Sequence, residues 1–165
     1  MIKAIVYNTN TEHTKEYAQL LSEELKIPAY SLEETNHYLK KDDEIIYLSW
    51  ICAGIVTKLT RVKKKYKIKC IGMVGAYPKN DQYVKELQKA NQLTIPSFYL
   101  QGGLNYSKLK GMKKMIVKLV GKTIPKENTE LRRLFQNGGN YVSKESLKEL
   151  IKFIKNYKEE RKDNE

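Results

Sequence analysis

Five short apolar runs, each separated from the next by a helical or loop segment, constrain this chain more than any other feature. They are Ile2–Tyr7, Ile27–Leu32, Glu44–Ser49, Cys70–Val74 and Pro96–Leu100. Each is near-continuously apolar rather than alternating, the mark of a strand covered on both faces. The intervening segments His13–Leu25, Ile55–Tyr66 and Asp81–Asn91 carry apolar residues at helical spacing. The second run begins with Pro28, and Ser31 with Glu34 can form a capping box for one short helical turn. Thr35–Asp43 reads as a loop. Strand and helix in this alternation predict a doubly wound α/β domain around a parallel sheet. Ligands of such sheets sit at the carboxyl ends of the strands. The loops that matter therefore follow the first, third, fourth and fifth strands.

The first of these loops is the most informative. A buried strand, MIKAIVY, runs into NTNTEHT and then into a helix. Free amides and the positive dipole end of that helix face the loop and suit an anion. Thr9, Thr11 and Thr14 add hydroxyl donors without adding charge, a combination fit for a phosphate held by neutral groups. Tyr7-Asn8 end the strand where a receiver domain needs acidic residues, which excludes that class.

Beyond the fifth strand the alternation breaks. About forty residues precede the last helix, Ser143–Lys158, which Ser143 can cap. Within them Ser107–Val120 is a helical pattern with Leu109, Met112, Ile116, Leu119 and Val120 on one side and lysines on the other. Gly121 fits its C-cap, and Asn137-Gly138-Gly139-Asn140 reads as a turn. The expected organisation is one domain over 1–158 with an added helical segment at 104–142, and a charged, frayed tail at 159–165.

The net charge of +12 is local. Lys58–Lys69 and Lys108–Lys126 hold seven basic residues each and no acid, and outside them the two signs nearly balance. Such faces suit an acidic protein or an anionic membrane surface, or are simply solvated. Nucleic acid is the weaker partner, since neither segment interleaves aromatics or carries a reading motif. The Ser107–Val120 helix either lies at a membrane surface or packs its apolar side on the domain. Cys52 and Cys70 have no metal or redox spacing and read as a loop thiol and a core residue. No run is long enough to span a bilayer, and no signal peptide is read at the N-terminus, so a cytoplasmic protein, or one peripheral at a membrane, is expected.

The strand order and the T-N-T-E-H-T loop resemble the flavodoxin family, whose phosphate loop reads roughly [ST]-x-T-G-x-T. The resemblance implies a five-stranded parallel sheet of order 2-1-3-4-5 with helices on both faces. It also implies noncovalent flavin mononucleotide (FMN) as cofactor. Thr9, Asn10, Thr11, Glu12, His13 and Thr14 would then surround the phosphate, with Glu12 standing where the family has glycine. Ser49, Trp50, Ile51, Cys52, Ala53 and Gly54 would border one side of the flavin ring, and Gly75, Ala76 and Tyr77 the other. Trp50 and Tyr77 either stack on the ring or pack as rim residues.

The segment after the fifth strand, Gln101–Tyr106 with Met112–Gly121, is similar to a flavodoxin-like subgroup that includes the menaquinone-dependent protoporphyrinogen dehydrogenases. The long insertion of those enzymes is absent between Tyr77 and Asp81, so the resemblance carries the flavoprotein reading and not porphyrinogen oxidation. The implied function is electron transfer or FMN-dependent oxidoreduction with a redox partner protein or a small electron acceptor. No catalytic residue and no metal is read. A lysine segment close to the ring would favour its reduced anion and raise the potential. The alternative is a flavin-free binding module that docks an acidic protein or anionic membrane through its basic faces.

Overall fold

A computed structural model describes residues 1–163, apart from the side chains of Lys113 and Asp163. The Lys113 side chain in the second basic segment, and Asn164 and Glu165 of the expected tail, lie outside what is described. Strands β1 (Ala4–Asn8), β2 (Ala29–Ser31), β3 (Glu44–Cys52), β4 (Ile55–Val56), β5 (Lys67–Gly75) and β6 (Ser97–Gln101) form the main sheet. Its order is β2-β1-β3-β5-β6, with β4 paired to β3 alone. Neighbours on the main path are all parallel. With helices packed on both faces, this is the flavodoxin-like fold expected.

Successive side chains of a strand point to opposite faces, and the core divides accordingly. Ile5, Ile46, Leu48, Cys70 and Val74 pack with Tyr17 and Leu21 of α1 (His13–Leu25) on one face. Ala4, Val6, Ile45, Tyr47, Ile71 and Met73 pack on the other face with Val62 and Leu87. These belong to α3 (Leu59–Lys63) and α4 (Asp81–Ala90). Only half of the Ser31–Glu34 box forms: the Ser31 amide and hydroxyl both donate to the Glu34 carboxylate, while the Glu34 amide donates to the Ser31 carbonyl rather than to its hydroxyl. It leads into a turn of helix, α2 (Thr35–Tyr38), inside the stretch read as loop.

The structure corrects the region after the third strand. That strand does not end near Trp50: it runs on to Cys52 and folds back antiparallel on β4, with Cys52 opposite Ile55. Ala53 (φ 47°) and Gly54 (φ 78°) make the two-residue turn, the left-handed pair that a tight hairpin demands. The helix expected over Ile55–Tyr66 therefore shrinks to α3. Leu59, Val62 and Tyr66 are buried as its apolar stripe, but Ile55 is exposed in the hairpin.

The segment after β6 is more structured than expected. It holds β7 (Gly103–Leu104), α5 (Gly111–Thr123), α6 (Thr129–Asn137) and β8 (Gly139–Asn140), with β7 and β8 paired antiparallel. The α6 helix is an addition to the expected elements. Asn128 caps it, its side chain accepting from the Leu131 amide at 3.2 Å. Leu131, Leu134 and Phe135 build a third small core with Ile124, against which Val117, Val120, Ala76 and Tyr77 pack. Gly121 is not a C-cap: it lies inside α5, where a Cβ would stand 3.1 Å from that of Phe135. It lets the two helices approach. Half of the expected turn at 137–140 is strand β8.

Ser143 accepts from the Ser146 amide at 3.3 Å and opens a 3-10 turn, Glu145–Leu147, that leads into α7 (Lys148–Asp163). The expected frayed tail is thus helical as far as Asp163. Arg161 lies 2.8 Å from the Glu44 carboxylate, which also pairs with Lys69 and the N-terminal amine.

Candidate functional site

One cavity of about 450 Å³ opens at the carboxyl ends of β1, β3 and β5. Twelve of the fifteen residues expected at a flavin line it: Asn10, Thr11, His13, Thr14, Trp50, Ile51, Cys52, Ala53, Gly54, Gly75, Ala76 and Tyr77. The other three, Thr9, Glu12 and Ser49, serve the frame around it. The Thr9 hydroxyl accepts from the Glu12 amide at 3.1 Å and closes the first loop. Ser49 is fully buried and donates to the Thr57 carbonyl at 3.0 Å. Asn8 donates to the Thr57 hydroxyl at 2.8 Å and to the Ser49 hydroxyl at 3.3 Å. This buried polar knot ties the end of β1 to the β3–β4 hairpin and holds the Trp50–Gly54 wall against the first loop.

The floor of the cavity is the start of α1. The first amides of a helix have no acceptor within it, and here they face a site lined by the Thr11 and Thr14 side chains. Thr14 is buried. Thr11 and His13 are joined through Oγ1 and Nδ1 at 3.0 Å. Burial lowers the pKa of His13, against a smaller upward pull from Glu16. Its ring is therefore neutral at pH 7, and this end of the cavity offers neutral donors.

Glu12 occupies a backbone position that favours glycine. Its backbone is left-handed, φ 75°, a conformation glycine adopts without cost and glutamate does not. Its side chain does not line the cavity. It points to the surface, near Lys15 at 3.7 Å and Lys108 at 3.8 Å. These cations offset the charge that would otherwise stand beside an anion.

The two side walls are aromatic and backbone-rich. Trp50 is half-buried, and its carbonyl accepts from the Thr57 amide and hydroxyl. The Tyr77 ring lies 5.4 Å from Tyr83 and 5.9 Å from Phe135, centre to centre. Its carbonyl accepts from the Tyr99 hydroxyl at 2.6 Å. Tyr77 therefore lines the cavity and packs at the rim at once. Cys52 is exposed at the hairpin end, whereas Cys70 is in the core, where burial pushes its thiol pKa far up.

The roof is not legible in the sequence. Gly103, Leu104, Leu109, Ile116, Val117, Val120 and Phe135 line the cavity from above, all within the segment following β6. The helical spacing of Ile116 and Val120 was visible, but the sequence carries no sign of which way that side faces. Phe135 belongs to the unread α6. No family model matches the chain, and no curated protein matches it. Among the described residues, no helix is long and apolar enough to cross a membrane.

Proposed function

We propose that the chain is an FMN-binding redox protein, which passes electrons between bound flavin and a redox partner protein or small acceptor. The observation that carries this reading is the union, in one mostly apolar cavity, of hydroxyl-bearing residues at a helix N-terminus with the two strand-end loops Trp50–Gly54 and Gly75–Tyr77. A phosphate fits that N-terminus. The space between the Trp50 and Tyr77 walls fits a fused aromatic ring, and the volume is that of a small-cofactor site.

In this reading Thr11, Thr14 and the first amides of α1 hold the phosphate, and neutral His13 donates or accepts at its edge. Backbone groups of Ile51–Gly54 and Gly75–Tyr77 meet the polar edge of the ring. Bound flavin supplies the one- and two-electron chemistry. Trp50 and Tyr77 set the polarity around the ring, and the roof residues keep water from its face. The absence of acidic side chains from the lining removes charge repulsion against a reduced anion, while the apolar walls disfavour it by desolvation.

The test is titration of the purified chain with FMN, followed by quenching of flavin fluorescence. Binding with a Kd at or below the micromolar range is expected. Thr11→Ala with Thr14→Ala weakens it about 100-fold, the loss of two hydrogen bonds to a charged group. Trp50→Ala shifts the midpoint potential more than the Kd. A chain that binds no FMN overturns the reading, and an unchanged Kd in the threonine pair removes the first loop as its phosphate site.

A further inference from the structure

Helix α5 presents three different sides. Val117 and Val120 rest on the small core beneath it, with Gly121 against Phe135. Met112, Met115, Ile116 and Leu119 follow the i, i+3, i+4, i+7 spacing of one face and stand 72%, 57%, 50% and 54% exposed. The apolar surface of this helix is thus divided: Val117 and Val120 pack on the domain, and the stripe from Met112 to Leu119 does not. The third side carries Lys114, Lys118 and Lys122 at four-residue intervals, all exposed. No acidic residue occurs between Glu86 and Glu127.

We propose that α5 docks the protein on an anionic lipid surface, with its methionine, isoleucine and leucine side chains set into the headgroup boundary and its lysines on lipid phosphates. Four large apolar side chains projecting from one helix are poorly served by water. A second copy of the chain suits them less well. A two-fold contact sets each patch against itself and would bring the lysine rows of both copies together with no acid to separate them. An anionic bilayer satisfies both sides of the helix at once. Apolar side chains enter the acyl boundary, while lysine stems lie along it and place their ammonium groups among the phosphates. Each lysine near such a surface raises the partition coefficient roughly fivefold.

Ile116 gives this docking a direction. It belongs to the exposed stripe and also lines the cavity roof. Docking therefore sets the edge of the cavity beside the lipid. The inference does not rest on flavin: it concerns the outer side of α5 and is read on the protein with or without FMN.

The experiment is co-sedimentation of the full chain with vesicles of phosphatidylcholine containing phosphatidylglycerol, and with vesicles of phosphatidylcholine alone. Binding to the mixed vesicles, weakened by added salt, is expected. Met112→Glu with Leu119→Glu, and separately Lys114→Gln with Lys118→Gln and Lys122→Gln, each lower the partition coefficient about 100-fold. Hydrogen–deuterium exchange of the unsubstituted chain on the same vesicles reads the contact without any variant, and protection over residues 110–123 is expected. Failure to bind the mixed vesicles overturns the proposal. So does protection centred on Lys58–Lys69, or binding that both variant sets leave unchanged. A dimer in sedimentation velocity that Met112→Glu with Leu119→Glu dissociates would assign the face to a second copy instead. Capture by an acidic protein without any binding to anionic vesicles would assign it to that partner.

Discussion

The Lys108 ammonium stands 3.8 Å from the Glu12 carboxylate, joining the segment that roofs the cavity to the loop that floors it. Glu12 makes this contact from a left-handed backbone position, so one residue combines a conformational cost with a link across the cavity.

Glu12→Gly separates these two roles. Glycine relieves the left-handed strain, worth about 1 kcal/mol. The exposed ion pairs it removes contribute less than that. The variant should be as stable as the parent or up to about 1 kcal/mol more stable in urea titration. It should also bind FMN more tightly, because Lys15 and Lys108 are released from the carboxylate they offset. Weaker FMN binding in the variant would mean that the Lys108 link, rather than the absence of charge, governs affinity.

Gly103→Ala tests the strand pair under the roof. Gly103 has φ 148°, and a Cβ there would lie 2.0 Å from the Gly139 carbonyl oxygen. Backbone cannot give way to that extent while β7 and β8 remain paired. A loss of about 3 kcal/mol is expected, together with faster amide exchange at Leu104 and Asn140. Unchanged exchange would show that the pairing survives a shift of the chain.

Phe135→Ala tests the coupling between roof and wall. The ring is buried in the small core and contacts Tyr77. Its removal should cost about 3 kcal/mol and free Tyr77 to turn. If the proposed cofactor site is right, the Kd for FMN rises about tenfold while the main sheet keeps its exchange protection.

Glu44 sets an acid limit on stability. Burial pushes its pKa up, but hydrogen bonds and charge from the N-terminal amine and Lys69 outweigh this and hold it at about 2. A carboxylate depressed in the fold stabilises it above the unfolded pKa, and that contribution drains away as pH falls from about 4.5 toward 2. With its partly exposed partners discounted for screening, the contribution is about 2 kcal/mol. Urea midpoints at pH 6 and pH 3 should differ less in Glu44→Gln than in the parent. Equal differences would remove this cluster from the acid response.

Most of the sheet is legible in the chain because its central strands β1, β3 and β5 are buried on both faces, so apolar runs mark them. The hairpin after β3 is not. Ile55, Leu59 and Val62 keep a helical rhythm across a turn whose only local sign is Ala53-Gly54, and alanine is an uncommon residue in a left-handed position. The floor and walls of the cavity follow from the first loop and the strand ends. The roof does not, because Leu131, Leu134 and Phe135 are spaced for a helix in a stretch with few other signals, and because periodicity alone does not say whether an apolar side meets protein or solvent. The α5 helix shows the difficulty: its exposed stripe and its half-buried valines are equally apolar.

The two ends of β3 hold different business. Glu44 at its start gathers the N-terminus, β5 and the last helix into one charged clasp, and Trp50 to Cys52 at its far end wall the cavity. A strand of this length separates them by roughly 20 Å or more. Durability and chemistry are therefore written at opposite poles of the same strand. A designer can reinforce or weaken the clasp to move the working temperature of the protein without disturbing what its cavity accepts.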